Sequence, residues 1–230
     1  MNRQHHLSEF YSLLDRLASR GGGYRSLSQC SGDMVWPLRG VYFFFEPGEF
    51  RSHSGQGLRV VRVGTHAVSH GSRTKLWHRL VQHRGTEAGG GNHRGSGFRK
   101  LVGEALSARS PDLAMPSWGQ GQSGTPLIRQ AELPLEQAVS SHIGAMPFVW
   151  IAICDEASKQ SQRAFIERNA IALLSNAGSP DADALDRASP GWLGARSGHA
   201  DVLRSGLWNS RDVTAAYDPA FLEQFAGLVG

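Results

Sequence analysis

Apolar residues near the start of the chain recur at intervals of three and four. Phe10, Leu13, Leu14 and Leu17 fall on one side of residues 6–19, the spacing of an amphipathic helix. A glycine-rich break at 21–23 follows, and the pattern then changes. Residues 38–46 are dense in Val, Tyr and Phe and run into Glu46-Pro47-Gly48-Glu49, which predicts a strand closed by a turn. Residues 58–64 predict a second strand ending on glycine, and the polar connection between the two predicts an antiparallel pair with a long hairpin loop. Helical spacing returns over 73–84, where Leu76 stands four from Leu80 and Trp77 four from Val81, with Ser72 placed to cap. A loop over 85–95 leads to a helix over 96–107 with Phe98, Leu101, Val102 and Ala105 as its stripe.

The stretch 109–146 is rich in Pro, Gly and Ser and predicts an extended connection with a short turn of helix near Leu135. The continuous apolar run 148–154 predicts a strand buried on both faces, and 158–176 the best helix of the chain, preceded by Asp155 and Glu156, which suit a helix N-terminus. Beyond 177 the chain is loop-rich, with a last helix over 219–228. The expected fold class is α/β: a small three-stranded, mainly antiparallel sheet flanked by helices, with an N-terminal helix and a C-terminal extension. The expected organisation is an N-terminal helix and linker over 1–36, a core over 37–176 with an inserted loop at 109–146, and an extension over 177–230 packed on the core.

Composition changes this picture little. With 230 residues, the chain is long enough for a real core. Its two cysteines, Cys30 and Cys154, are far apart, which argues against a disulfide scaffold or a structural zinc site and fits a reducing compartment. No apolar run is long enough to span a bilayer, so a soluble cytoplasmic protein is expected. Gly119-Gln120-Gly121-Gln122-Ser123-Gly124 matches a dinucleotide-binding pattern by letter, but no strand precedes it and Pro126 stands where the helix should open, so it reads as a loop.

Charge is more informative. From Arg51 to Arg109 there are eleven Lys or Arg against two acids, whereas from Ala131 to Arg187 there are eight acids against four bases. One part of the molecule is thereby expected to face a polyanion while another carries acidic chemistry.

Three pieces stand in order along the chain. Gly40-Val41-Tyr42 lies inside the first strand. Arg62-Val63-Gly64 ends the second and is followed by a helix with Leu76, Arg79 and His83. A later strand precedes a helix carrying Glu167. This ordered set resembles the GIY-YIG nuclease superfamily over roughly residues 37–176, and the Arg79-x-x-x-His83 spacing is most similar to its type II restriction-endonuclease branch. The resemblance implies a metal-dependent endonuclease acting on double-stranded DNA, in restriction or another defence against foreign DNA. Tyr42 would take a proton from the attacking water, Arg79 would stabilise the phosphate and His83 would orient or shuttle a proton. Glu167 would hold Mg²⁺ or Mn²⁺, an arrangement that needs one carboxylate, waters and substrate phosphate. On its helix Glu167 shares a stripe with Ile171 and Leu174, and the bland alternative is a surface pair with Arg163.

Arg62 departs from the pattern, standing where the family has its second tyrosine; a cation there could hold the phosphate or polarise the water. The late asparagine of the family has two candidates, Asn176 and Asn209. The loop before the 96–107 helix offers His93 and Arg94 to DNA, with Arg99, Lys100, Arg73 and Lys75 as further DNA contacts. A homodimer is left open. The alternative function is a catalytically inactive nucleic-acid-binding protein of the same fold, and a more remote one is an unrelated small-molecule hydrolase.

Overall fold

The computed structural model describes residues 2–178 and 183–230. Its elements in chain order are α1 (Arg3–Arg20), β1 (Arg25–Ser26), β2 (Gly40–Phe50), β3 (Leu58–Gly64), α2 (Leu76–Arg84), α3 (Gly97–Arg109), α4 (Pro126–Gly144), β4 (Pro147–Ala152), α5 (Gln162–Leu174), α6 (Ala200–Ser205) and α7 (Ala220–Val229), with short 3₁₀ turns between them. The strands form one antiparallel sheet in the order β1-β4-β2-β3. The α/β class and the antiparallel hairpin are as the sequence predicts. The sheet has four strands rather than three, because two residues, Arg25 and Ser26, pair with Phe148 and Pro147 at its edge. Two residues carry no readable period.

Alternation along β2 explains the layers. Val41, Phe43 and Phe45 enter one core with α1, α5 and α7, while Tyr42 and Phe44 enter a second with α2, α3 and α4. The sheet is thus buried on both faces, as the nearly unbroken apolar runs of β2 and β4 require. Between Phe44 and Phe45 the register with β3 slips, so that Phe44 faces Arg62 and Phe45 faces Val60. Val60 and Val61 enter opposite cores, as strand neighbours do, and the bulge leaves Val61 and Arg62, whose guanidinium lies over Phe98, on the same side.

The largest difference from expectation lies in 109–146, where α4 runs for 19 residues. Pro126 does not prevent the helix from opening. It occupies the first turn, where a missing N–H costs nothing, and Thr125 caps the end by accepting from the Ile128 N–H at 3.3 Å. Pro134 is carried inside, and the buried stripe Leu135, Val139 and Ile143 outweighs its lost hydrogen bond. The Gly119–Gly124 segment is a turn, with Gly119 and Gly121 at positive φ. Helix α2 starts at Leu76, so Ser72 is not its cap; Lys75 holds that position without a side-chain hydrogen bond.

The C-terminal stretch completes the edge of the sheet. The Trp208 N–H donates to the Val61 carbonyl at 2.7 Å. Asn209 then pairs with both main-chain groups of Val63, accepting from its N–H at 3.1 Å and donating to its carbonyl at 2.9 Å. This strap occupies the free side of β3 and leads into the wall of the cleft described next.

Candidate active site

A cleft of about 720 Å³ opens at the end of β3, between α2, α3, α5 and the loop after the strap. Five cations line it, Arg62, Arg79, Lys159, Arg168 and Arg211, against two acids, Glu167 and Asp212. A cavity of this charge suits a phosphate, and its size lies within the usual ~300–1,000 Å³ of ligand clefts.

Glu167 stands on the cleft side of α5. Its Oε1 accepts the Thr65 N–H at 2.9 Å, and among the described residues no other hydrogen bond or ion pair engages it. Burial pushes its carboxyl above the ordinary range, opposed by the Thr65 N–H and by the charge of Arg62. Arg163, four residues earlier, does not pair with Glu167. It is buried, pairs with Asp155 through Nε, and donates to the His66 carbonyl.

Gly64 is opposite Tyr42 in the sheet, and the tyrosine ring lies over it: a Cβ at position 64 would sit 2.3 Å from the phenol oxygen. The phenol is fully buried and meets His83 Nε2 at 2.7 Å, while His83 Nδ1 meets Ser96 Oγ at 2.8 Å. Ser96 also caps α3. Burial, followed by the charges of Arg79, Arg62 and Arg99, holds the His83 pKa well below its usual value, so the imidazole is neutral. Tyr42 itself does not line the cleft, whereas Arg62 on the neighbouring strand does. The Arg62 guanidinium lies over the Phe98 ring at 4.9 Å and donates through Nη1 to the Trp208 carbonyl. Burial lowers its pKa, offset by the neighbouring Tyr42 and Glu167. Arg79 reaches Gln82 Oε1 at 2.9 Å and the Gly95 carbonyl at 3.3 Å on the same wall.

Cleft and sheet end thus bring together Arg62, Arg79 and Glu167, with Tyr42 and His83 directly behind. Asn209 lines the cleft while both ends of its amide hold β3. Asn176 lies elsewhere, accepting from Arg3 at 3.1 Å and clasping both main-chain groups of Leu185. Of the residues expected at DNA, three turn inward. His93 is buried, stacks on Trp118 at 3.8 Å and meets Glu136 Oε1 at 2.9 Å. Arg94 forms a two-pronged pair with Glu132, and the wholly buried Arg99 binds Glu136. The partners come from α4, the helix hidden inside the proline-rich stretch, and without that helix the three cations read as surface. Arg73 and Lys75 are exposed on either side of the cleft-lining Thr74, and Lys100 is half-exposed, 3.9 Å from Glu104.

Sequence reasoning passes over Lys159, Arg168, Arg211, Asp212 and His66, all of which line the cleft. Arg168, directly after Glu167, and His66, two residues past Gly64, lie close enough to a motif to have drawn notice.

Among the described residues the only carboxylates on this cleft are Glu167 and Asp212, and no cluster of three or more His, Cys, Asp or Glu could enclose a metal. One free carboxylate edge in an arginine-lined cleft nevertheless fits a hard divalent cation that keeps most of its waters. Among the described residues no helix is long and apolar enough to cross a membrane. No curated protein and no solved structure matches the chain. The family profile described as GIY-YIG domain matches residues 1–230. The chain belongs to the GIY-YIG domain family.

Proposed function

We propose that this chain is a metal-dependent endonuclease that hydrolyses phosphodiester bonds of double-stranded DNA, of the restriction-endonuclease-like kind, serving in defence against foreign DNA. The observation that carries this reading is Glu167: a carboxylate with one oxygen fixed by the Thr65 N–H and the other unengaged, facing a cleft lined by arginines. Glu167 would hold Mg²⁺ or Mn²⁺, which supplies charge stabilisation to the phosphate oxygens and a more acidic bound water. Arg62 and Arg79 hold the phosphate and offset the negative charge that builds on it. Tyr42, sealed behind Arg62, lies beside a guanidinium that can only donate and shares a hydrogen bond with neutral His83. In this reading Tyr42, His83 and Ser96 form a buried brace for Arg62.

The test is Glu167→Ala assayed on plasmid DNA with Mg²⁺ or Mn²⁺. Cleavage should fall by about 10³-fold or more while DNA affinity stays near the parental value, the signature of an interaction made in the transition state. A variant that cuts at the parental rate sinks the metal assignment. The second reading, a catalytically silent DNA-binding protein, is favoured by the seclusion of Tyr42 and by Arg62 in place of a tyrosine. It takes over if the parent binds DNA but cuts it with neither metal.

A further inference from the structure

Three of the five cleft cations have no task in the reading above. Lys159, Arg168 and Arg211 are exposed, and among the described residues no hydrogen bond or ion pair engages any of them. Arg168 lies over the Phe165 ring of its own helix, at 5.9 Å. The other two cations are committed to the protein. Arg62 is tied to the Trp208 carbonyl, and Arg79 to Gln82 and the Gly95 carbonyl. The cleft thus carries two tiers of positive charge, one fixed by protein partners and one free.

Helix α5 shows where Arg168 looks. Ala164, Glu167, Arg168 and Ile171 all line the cleft, and positions three and four apart share one helical face. Lys159 comes before Ser161, the cap of α5, so the rise of about 9 Å from Gln162 to Arg168 lies between the two cations. The phosphates of a duplex strand recur about every 3.4 Å along its axis, so cations this far apart meet different phosphates. Arg211 reaches the same cleft from the segment after Asn209. Its chain neighbour Asp212 forms no ion pair with it among the described residues. Exposed cations are ordinary on an open surface, where water keeps them apart. Gathered in one concavity they repel one another, and five cations against two acids leave a surplus of positive charge that a polyanion relieves.

We propose that Lys159, Arg168 and Arg211 form a second phosphate site of this cleft, binding the backbone phosphates next to the scissile one, while Arg62 and Arg79 meet the scissile phosphate itself; the proposal rests on the nuclease reading. Its ligand is the anionic phosphodiester oxygen, whatever the base sequence. Free Lys and Arg side chains suit that task, because backbone contacts position a duplex and carry no sequence information. Such contacts are equally strong before and during the reaction. They therefore set affinity and leave the turnover of the bound complex alone.

The test is the salt dependence of duplex binding, measured in EDTA so that no metal-dependent cleavage intrudes. All three side chains are exposed, so their removal spares the core. Lys159→Ala, Arg168→Ala and Arg211→Ala should each make the slope of log affinity against log salt shallower by about one unit. Arg168→Lys, which keeps the charge, should restore the parental slope. Arg16→Ala, which removes an exposed cation of α1 outside the cleft, should leave it unchanged. In Mg²⁺ the three alanine variants should raise KM and hold kcat within about twofold of the parent. Parental slopes in all three overturn the proposal while the nuclease reading stands. So does an equal change in Arg16→Ala, or a fall of about 10²-fold in kcat at an unchanged slope, which marks a catalytic group instead. A parent that binds without cutting removes the nuclease reading and leaves the slopes to decide on the phosphate site. A parent that does not bind removes both.

Discussion

His66 and His83 are both held neutral by burial, and that couples the stability of the fold to pH. In the unfolded chain each takes up a proton near the ordinary value of 6.5, whereas in the folded protein each does so only at lower pH. The unfolded state therefore binds more protons as the solution is acidified. The stability present above about pH 6.5 is lost as pH falls toward the folded values, by up to about 1.4 kcal/mol per pH unit for each ring. For His66 the window runs from 6.5 to about 4, and for His83 it begins at the same edge and extends further down. Glu132 and Glu136, whose carboxyls lie below their ordinary 4.5, add losses only in more acid solution. Urea unfolding at pH 7 and pH 5 should show the parent losing about 2 kcal/mol more than His66→Gln over that interval. Equal losses would mean that His66 is not kept neutral by the fold.

At the level of elements, the hairpin of β2 and β3 sets the geometry of the site through one missing side chain. The Tyr42 ring occupies the space over Gly64, so Gly64→Ala must displace the phenol from His83 or spread the strands. The expected cost is about 1–3 kcal/mol, typical of overpacking, with a matching drop in thermal midpoint and a loss of activity. A variant of parental stability would mean that the ring has room to move. This hairpin was legible in the sequence because strands with two buried faces leave unbroken apolar runs. The helices α1, α3, α5 and α7 were legible within a few residues for a similar reason. Helix α4 was not, because two prolines and the glycines before it carry the local signals of a loop, and only tertiary burial of Leu135 and Val139 reverses them. Missing α4 also cost the correct reading of His93, Arg94 and Arg99, whose acidic partners are Glu132 and Glu136. Ordered motifs gave Arg62, Arg79 and Glu167, but no spacing announces Arg211 or Asp212, which reach the cleft through a non-regular segment.

For the whole molecule, the contrast between a basic and an acidic stretch is partly internal bookkeeping. Arg94 and Arg99 are neutralised by α4, and Arg59 by Glu49 at 2.7 Å, so they leave little for an outside polyanion. The cations that remain accessible are those of the cleft, with Arg73 and Lys75 exposed beside it and Lys100 half-exposed. With about five phosphate contacts, affinity should fall roughly 10²–10³-fold between about 50 and 200 mM salt. A dissociation constant that hardly moves across that range would remove the cleft as a DNA surface. The strap at Trp208 and Asn209 carries a different implication, one of timing. Ser210, Arg211 and Asp212 form one wall of the cleft, and Asn209 holds the strand that carries Arg62. A ribosome delivers these residues after every other part of the site, from Tyr42 to Glu167, has already emerged. A growing chain therefore lacks a finished cleft until synthesis has passed residue 212.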